Sequence, residues 1–118
     1  MNQTQARRDL LEALYEAYNQ RDVPAMVASL SPDAEWLDML KGVPIKGRDA
    51  VGAYWTQQFK QMDFEVTPLT IDALPDGRLV VTAAQTMKRP DGTLWGNEKV
   101  THVITFGPDG LIQRMDAS

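Results

Sequence analysis

The chain of 118 residues contains no cysteine and only one histidine. Without cysteine it has no disulfide framework, no thiolate nucleophile and no zinc site with sulfur ligands. One histidine among scattered carboxylates gives no metal-ligand spacing, so we expect no metal. The segment GRDAVG also lacks the lysine and the preceding strand that a phosphate-binding loop needs. The sequence therefore predicts neither a metal site nor a phosphate-binding loop.

Long apolar runs and clusters of basic residues are also missing. Residues 1–22 are polar and then amphipathic, which predicts neither a signal peptide nor a membrane span, and no later segment is apolar enough to cross a bilayer. The net charge of −4 argues against binding to nucleic acid or to an anionic membrane surface. We expect a single domain, residues 1–118, located in the cytoplasm.

Apolar spacing predicts three helices in the first half of the chain. Apolar residues recur at intervals of three and four in the first twenty residues and again from Arg48 to Met62, as in helices that pack one face on a core. A short helix is predicted at VPAMVASL. The segment SPDA then turns the chain into an opening strand, Glu35–Met39.

The second half is punctuated by three copies of Pro-Asp-Gly, at 75–77, 90–92 and 108–110. Proline presets φ, aspartate tolerates turn geometry and glycine accepts positive φ, so each copy predicts a turn. Helices first and strands last predict an α+β fold, in which the helices cover the concave face of a curved, cone-shaped sheet and enclose a pocket. The segments rich in β-branched residues predict a four-stranded antiparallel meander of Phe64–Leu74, Leu79–Lys88, Leu94–Phe106 and Leu111–Asp116.

Asp38 is the first candidate for a chemical role. It follows Trp36 by two residues, so the two side chains share a face of the predicted strand. If Trp36 faces the core, Asp38 does too, and a carboxylate in an apolar pocket suits proton transfer near neutral pH. The alternative is that Asp38 caps the following turn or lies at a solvated rim.

His102 is the second candidate, because it shares a strand face with apolar residues in KVTHVITF. An inward-facing imidazole could be a general acid or a hydrogen-bond donor to an oxyanion. The alternative is a core histidine that is satisfied by a backbone carbonyl or by Tyr18.

Asp116 is the third candidate, and the register of the last hairpin decides which way it points. If Phe106 pairs directly with Leu111, Met115 lies opposite His102 and Asp116 points to the other face. One bulged residue would instead bring Asp116 opposite His102 as a carboxylate–imidazole pair, because a slip of one residue reverses the faces of a strand. The sequence leaves both registers open.

Aromatic side chains and methionine could line an apolar pocket, or they could be plain core. The candidates for contact with a ligand are Tyr15, Tyr18, Trp36, Trp55 and Met115.

Three stretches together resemble the SnoaL-like branch of the nuclear transport factor 2-like superfamily. They are LYEAYNQRDVPAMVASLSPDAEW, GVPIKGRDAVGAYW and VTHVITFGPDGLIQRMD, and the resemblance covers essentially the whole chain. It implies a cone-shaped α+β domain with a deep apolar cavity for a hydrophobic small molecule. It also implies a homodimer formed through the sheet face. Members include both enzymes and non-enzymes, so the fold alone does not set the function.

Two enzyme groups of this superfamily allow a comparison of residues. In the ketosteroid-isomerase pattern, Asp38 stands where that group keeps its general base, while His102 replaces a protonated aspartate and Leu14 replaces a tyrosine. In the polyketide-cyclase pattern, His102 and Asp116 resemble the histidine and aspartate of the last two strands. The Asp–Arg–Asp set of limonene-epoxide hydrolases has only a faint counterpart in Arg114 and Asp116.

The resemblance implies that Asp38 and His102 face the cavity. The leading hypothesis is therefore a cofactor-independent acid/base enzyme acting on an apolar carbonyl compound by isomerisation or aldol cyclisation. Asp38 would take a proton, and His102, helped by Tyr18, would donate to the enolate oxygen. The alternatives are a homodimeric module that binds a small molecule without changing it, an interaction scaffold, and a redesigned version of such a scaffold.

Overall fold

The computed structural model describes residues 3–38 and 41–117. The helices are α1 Gln3–Gln20, α2 Val23–Ala28 and α3 Arg48–Gln61, and the strands are β1 Leu30–Asp38, β2 Val43–Lys46, β3 Asp63–Ala73, β4 Leu79–Lys88, β5 Leu94–Phe106 and β6 Ile112–Ala117. These strands form a single sheet in the order β2-β1-β6-β5-β4-β3, in which β1 and β6 are parallel and the other neighbours are antiparallel. The sheet is curved and unclosed, and together with the three helices it confirms the predicted α+β fold.

The predicted meander is confirmed, and each Pro-Asp-Gly copy forms the turn expected of it. In every copy the glycine has positive φ, between 78° and 94°, and a carboxylate oxygen of the aspartate accepts a hydrogen bond from the backbone N–H two residues later. Three hairpins thus follow from local chemistry that repeats at each turn.

Two features of the first half of the chain differ from the sequence analysis. β1 begins at Leu30, so the prediction of a turn at SPDA was wrong: this segment is an irregular part of the strand, and its pairing with β6 is interrupted between Leu30 and Glu35. Val43–Lys46 forms strand β2 against β1, a strand that the sequence analysis did not include. Both differences come from pairing between strands, which local composition does not report. Met39, the predicted end of the opening strand, lies outside the described residues.

The last hairpin adopts neither of the registers considered from the sequence. Phe106 pairs with Ile112, and a bulge at Gln113 shifts the pairing once more, so that His102 lies opposite Ala117. Each shift of one residue moves the side chains of β6 to the opposite face of the sheet, so two shifts return them to the original face. The inner face of β6 therefore carries Met115, and Asp116 is on the outer face.

Helix α1 is fixed over the sheet by a side chain that pairs with an edge strand. The amide of Asn19 donates to Val66 O at 2.7 Å and accepts from Val66 N at 2.8 Å. Because β3 is the last strand of the sheet, this amide satisfies backbone groups that an edge leaves unpaired. The contact holds the buried face of α1, which includes Leu14 and Tyr15, against the inner face of the sheet.

Gly52 lies where α3 approaches α2. A Cβ atom at this position would lie 2.8 Å from Cγ2 of Val27, which is closer than van der Waals contact allows. The branched side chain of valine is stiff, so it cannot move aside without strain. The glycine therefore costs α3 some helix propensity and in return lets the two helices pack closely.

We predict that the effect of Gly52→Ala on stability changes sign with the residue at position 27. In the native background, overpacking outweighs the gain in helix propensity, and the free energy of unfolding falls by about 1 kcal/mol. In a Val27→Ala background the contact is relieved, and the same change raises the free energy of unfolding by up to about 1 kcal/mol. Urea denaturation of the four proteins measures both values, and equal effects in the two backgrounds would contradict the packing account.

Candidate functional site

A cavity of about 400 Å³ lies between the inner face of the sheet and helices α1 and α3. Its wall is mostly apolar and aromatic, with a small number of polar groups, as in sites that bind small organic molecules. The described residues that line it are Leu14, Tyr15, Tyr18, Trp36, Tyr54, Trp55, Gln58, Gln61, Met62, Phe64, Val66, Gln85, Met87, Trp95, Glu98, His102 and Met115.

All five residues expected to contact a ligand lie on this wall. Trp36 and Trp55 meet edge to face, with ring centroids 4.9 Å apart, and both are almost completely buried. Such a pair fixes both rings and gives the cavity a rigid apolar side. Tyr15 and Tyr18 come from α1, and Met115 comes from the inner face of β6. The wall thus combines large apolar surfaces with two phenol groups.

His102 lies in β5 on the inner face, where only 7% of its surface is exposed. Its Nδ1 is 2.8 Å from the hydroxyl oxygen of Tyr15, and the two rings are nearly parallel. Sequence reasoning had considered Tyr18 as the phenolic partner, but the partner is the tyrosine one turn earlier on α1. This is the only hydrogen bond of the imidazole within the described part of the chain, so its Nε2 edge is available to a molecule in the cavity.

Burial lowers the pKa of His102 from 6.5 to about 4, because the charged imidazolium loses its hydration. The imidazole is therefore neutral at pH 7. Burial raises the pKa of Tyr15, with a smaller contribution from Tyr18, so this phenol keeps its proton. A phenol is a better donor than a neutral imidazole N–H, and an unprotonated ring nitrogen is a good acceptor. We therefore assign Tyr15 as the donor to Nδ1, which places the imidazole proton on Nε2.

Tyr18 supplies a second polar group to the wall of the cavity. Its ring packs edge-on against Phe59, with centroids 5.1 Å apart. Burial raises its pKa, the neighbouring Tyr54 raises it further, and Arg21 opposes the shift. Its hydroxyl forms no hydrogen bond within residues 3–38 and 41–117. The phenol is therefore a neutral donor for a ligand.

Asp38 is buried at the end of β1, with 7% of its surface exposed, on the same face as Trp36. One carboxylate oxygen accepts a hydrogen bond from Lys41 N at 3.2 Å, and its backbone carbonyl accepts one from Gly42 N at 2.7 Å. The residue therefore points inward and also caps the turn that follows. Asp38 is not among the described residues that line the cavity.

Asp116 lies on the outer face of β6 and does not approach His102. It is opposite Val103, and both of its carboxylate oxygens accept from Arg114 Nε at 3.0 Å. The same guanidinium reaches Glu35 on β1. The carboxylate–imidazole pair expected from one bulged residue does not form, because two register shifts return Asp116 to the outer face.

Sequence reasoning did not identify the polar residues near the open end of the cavity. Gln85 and Glu98 lie opposite each other on β4 and β5, on the inner face. Tyr54 and Gln58 join them from α3 and are hydrogen-bonded at 2.6 Å. Alternation along β5 was the available signal, because Glu98 precedes His102 by four residues and so shares its face.

The part of the chain that the structure describes contains no group of three or more histidine, aspartate or glutamate side chains that could hold a metal ion. Among the same residues, no helix combines the length and the apolar character that a membrane span requires.

The lowered pKa of His102 predicts that the protein loses stability as the pH falls. Between pH 6.5 and about 4 the unfolded chain binds a proton at this residue and the folded chain does not, so unfolding becomes easier in acid. The loss should approach about 3 kcal/mol at pH 4. Denaturation of the native protein and of His102→Gln across this range isolates the effect, because the chain has no other histidine. Parallel pH profiles would contradict a buried neutral imidazole.

The assigned tautomer can be tested by NMR of the imidazole nitrogens at pH 7. We expect a protonated Nε2 and an unprotonated Nδ1 in the native protein. Tyr15→Phe should give a mixture of both tautomers, because Nδ1 loses its donor. Tyr18→Phe is the matched control, since it removes a neighbouring hydroxyl from the same helix and should leave the spectrum unchanged. A native spectrum with protonated Nδ1 would reverse the assignment.

Solved structures with this fold cover nearly the whole chain at low sequence identity. A candidate polyketide cyclase from Xanthomonas campestris pv. campestris is 21% identical, with a TM-score of 0.86 over 98% of this chain and 91% of that protein. The epoxide hydrolase/cyclase-like enzyme SalBIII, which has a role in pyran ring formation in the polyether salinomycin, is 24% identical, with a TM-score of 0.83 over 96% and 89% of the two chains. A Mycobacterium tuberculosis protein in complex with estradiol-17β-hemisuccinate is 15% identical, with a TM-score of 0.82 over 95% and 92%.

No curated protein matches the chain. The family model of the SnoaL-like domain matches residues 11–115, which include α3, most of α1 and most of the sheet, with both Tyr15 and His102. The chain therefore belongs to the SnoaL-like family, within the nuclear transport factor 2-like superfamily.

Proposed function

We propose that this chain is a cofactor-independent acid/base enzyme that moves a proton next to the carbonyl group of an apolar small molecule held in the cavity. The observation that carries the proposal is the bond between Tyr15 and His102 Nδ1, which leaves the other edge of a neutral imidazole for a ligand. The apolar wall of a 400 Å³ cavity supports a hydrophobic substrate.

In this proposal His102 is a hydrogen-bond donor and not a general acid. With a pKa of about 4, the imidazolium is a very minor form at pH 7. A neutral N–H aimed at a carbonyl oxygen becomes more effective as negative charge develops there, and it costs no reorganisation during the reaction. The hydroxyl of Tyr18, which lines the same cavity, is the second donor.

Asp38 is the proposed base. β1 runs parallel to β6, and Trp36 on β1 pairs with Met115 on β6. Two residues further along each strand, the inner positions are Asp38 on β1 and Ala117 on β6. Ala117 in turn lies opposite His102. Two strand spacings separate Asp38 from His102 by about 10 Å between Cα atoms, and the residue on the strand between them is Ala117. This gap suits a carbonyl group and its neighbouring carbon.

The proposed step moves one proton and one electron pair. The Asp38 carboxylate takes the proton from the carbon beside the carbonyl, and the electrons of that C–H bond form an enolate whose oxygen accepts from His102 Nε2–H. Protonated Asp38 then returns the proton to a carbon of the enolate, which gives an isomer. In a substrate with a second carbonyl, the enolate carbon instead attacks that carbonyl carbon and closes a ring. The electrons of the C=O π bond move to its oxygen, which takes the proton from Asp38 and becomes a hydroxyl, and the names of the cyclase relatives favour this outcome.

Exchange of deuterium into 2-tetralone, an apolar bicyclic ketone, tests the proposal without knowledge of the natural substrate. We expect the native protein to accelerate exchange beside the carbonyl in D₂O at neutral pH, as followed by ¹H NMR. Asp38→Asn keeps an oxygen for Lys41 N and should slow exchange by about 10²–10⁴-fold. His102→Gln should slow it by about 10²–10³-fold. Neither change should weaken binding of 2-tetralone more than about threefold.

Asp116→Asn is the matched comparison for the base. It removes the same charge from the outer face of β6, and we expect unchanged exchange. Loss of exchange in Asp116→Asn but not in Asp38→Asn would show that Asp116, and not Asp38, is the base. Thermal denaturation of each variant shows whether the fold is retained.

A binding module that holds its ligand without changing it is the second candidate. One observation favours it: Asp38 caps the turn that follows β1 and is not among the described residues that line the cavity. Tight binding of 2-tetralone with exchange no faster than in buffer would support this candidate and reject the enzyme. A homodimer formed through the outer face of the sheet is compatible with both candidates and stays a prediction.

A further inference from the structure

Glu98 carries the only formal charge among the described residues that line the cavity. The other titratable groups on that wall are phenols and the neutral His102. No lysine or arginine is among these residues, so nothing on the described wall offsets the carboxylate. The cavity therefore has a net negative charge, and this affects which ligands can enter it.

The position of Glu98 is set by β5. It lies on the same face as His102 and four residues before it, which corresponds to about 13 Å along the strand. The residue opposite it on β4 is Gln85, which also lines the cavity. Glu98 is exposed, whereas His102 is buried, so the two residues mark the open end and the deep end of the same cavity.

The carboxylate of Glu98 is not used to stabilise the fold. It forms no hydrogen bond and no ion pair with any of the described residues. By contrast, Glu35 on β1 lies beside Arg114 and Lys46. A single carboxylate that has no partner among the described residues and lies at the mouth of an apolar cavity can pair with a group on a ligand.

An irregularity in the sheet places an indole at the same end of the cavity. Met87 pairs with Gly96 and Lys88 pairs with Leu94, so Trp95 is the extra residue of a bulge and has no partner on β4. Bulges change the direction of a side chain. In a regular strand Trp95 would point to the outer face, because its neighbour Gly96 occupies an inner-face position. Trp95 nevertheless lines the cavity, and 52% of its surface is exposed. An indole face attracts cations.

We propose that Glu98, together with Trp95, selects neutral or cationic ligands and rejects carboxylates. The preferred ligand is an apolar molecule with an ammonium group, or another cationic donor, at the end remote from the carbonyl. The charge of Glu98 acts on binding, so Glu98 is a specificity-determining residue. This proposal rests on the proposed function in one respect: it takes the carbonyl group of the ligand to lie beside His102, at the deep end of the cavity.

Three 2-acetylnaphthalenes that differ at one end test this proposal. Position 6 carries a butyl, a 3-aminopropyl or a 2-carboxyethyl group, so that the three ends are similar in size and are neutral, cationic and anionic at pH 7. Isothermal titration calorimetry at pH 7 and low salt should give a dissociation constant about tenfold lower for the ammonium probe than for the carboxylate probe. This ratio should fall at higher ionic strength, because an exposed charge is screened.

Glu98→Gln should reduce the ratio of the two dissociation constants at least fivefold and leave binding of the butyl probe within about twofold. Glu12→Gln is the matched control: it removes one negative charge from an exposed position on α1, away from the cavity, and should leave the ratio unchanged. The proposal is overturned if the ammonium probe does not bind, if the native protein shows no preference, or if Glu98→Gln keeps it.

These outcomes are separable from those of the exchange experiment. If the charge preference depends on Glu98 but 2-tetralone shows no exchange, the proposed enzymatic activity is rejected and the proposed role of Glu98 in ligand selection stands. Exchange that depends on Asp38, combined with no charge preference, would reject the role of Glu98 alone.

Discussion

The hydrogen bond between Tyr15 and His102 is the interaction on which the proposed chemistry depends. It joins α1 to β5 across 87 residues of sequence inside an apolar layer. A buried imidazole without a partner on Nδ1 would leave a polar atom unsatisfied, which costs about 1–3 kcal/mol. The rotation of α1 about its axis is therefore tied to the position of His102. The phenol that satisfies this nitrogen also fixes which edge of the ring is presented to the cavity.

The sequence predicts the meander well because each hairpin is determined by residues that are adjacent in the chain. Proline, aspartate and glycine act within one turn, and the carboxylate of Asp91, for example, accepts from the backbone N–H of Thr93. The inward side of β5 follows from alternation alone, so the position of His102 on the inner face was predictable as well. Its tyrosine partner was not, because Tyr15 and Tyr18 are both near the inner side of α1.

Features that depend on pairing between distant strands were not predictable in the same way. β2 exists only because β1 offers it an edge, and the early start of β1 reflects pairing of Leu30 with Ile112 on β6. The side on which Asp116 lies depends on the number of bulged residues, and the composition near Gln113 does not fix that number. A site whose members come from one strand is thus easier to read from sequence than one built across two strands.

The same difference applies to the polar residues that the two proposals use, because some lie within a strand and one lies at a strand end. Asp38 lies at the end of β1, where its carboxylate helps to form the next turn, so its stabilising role and its proposed chemical role compete for the same oxygens. His102 and Glu98 lie within β5, where their separation is fixed by the rise of the strand and by continuous pairing of this segment with β4. The strand therefore sets the length of molecule that can contact both residues. In the two proposals, Glu98 therefore acts on one end of a bound molecule while His102 acts on the other.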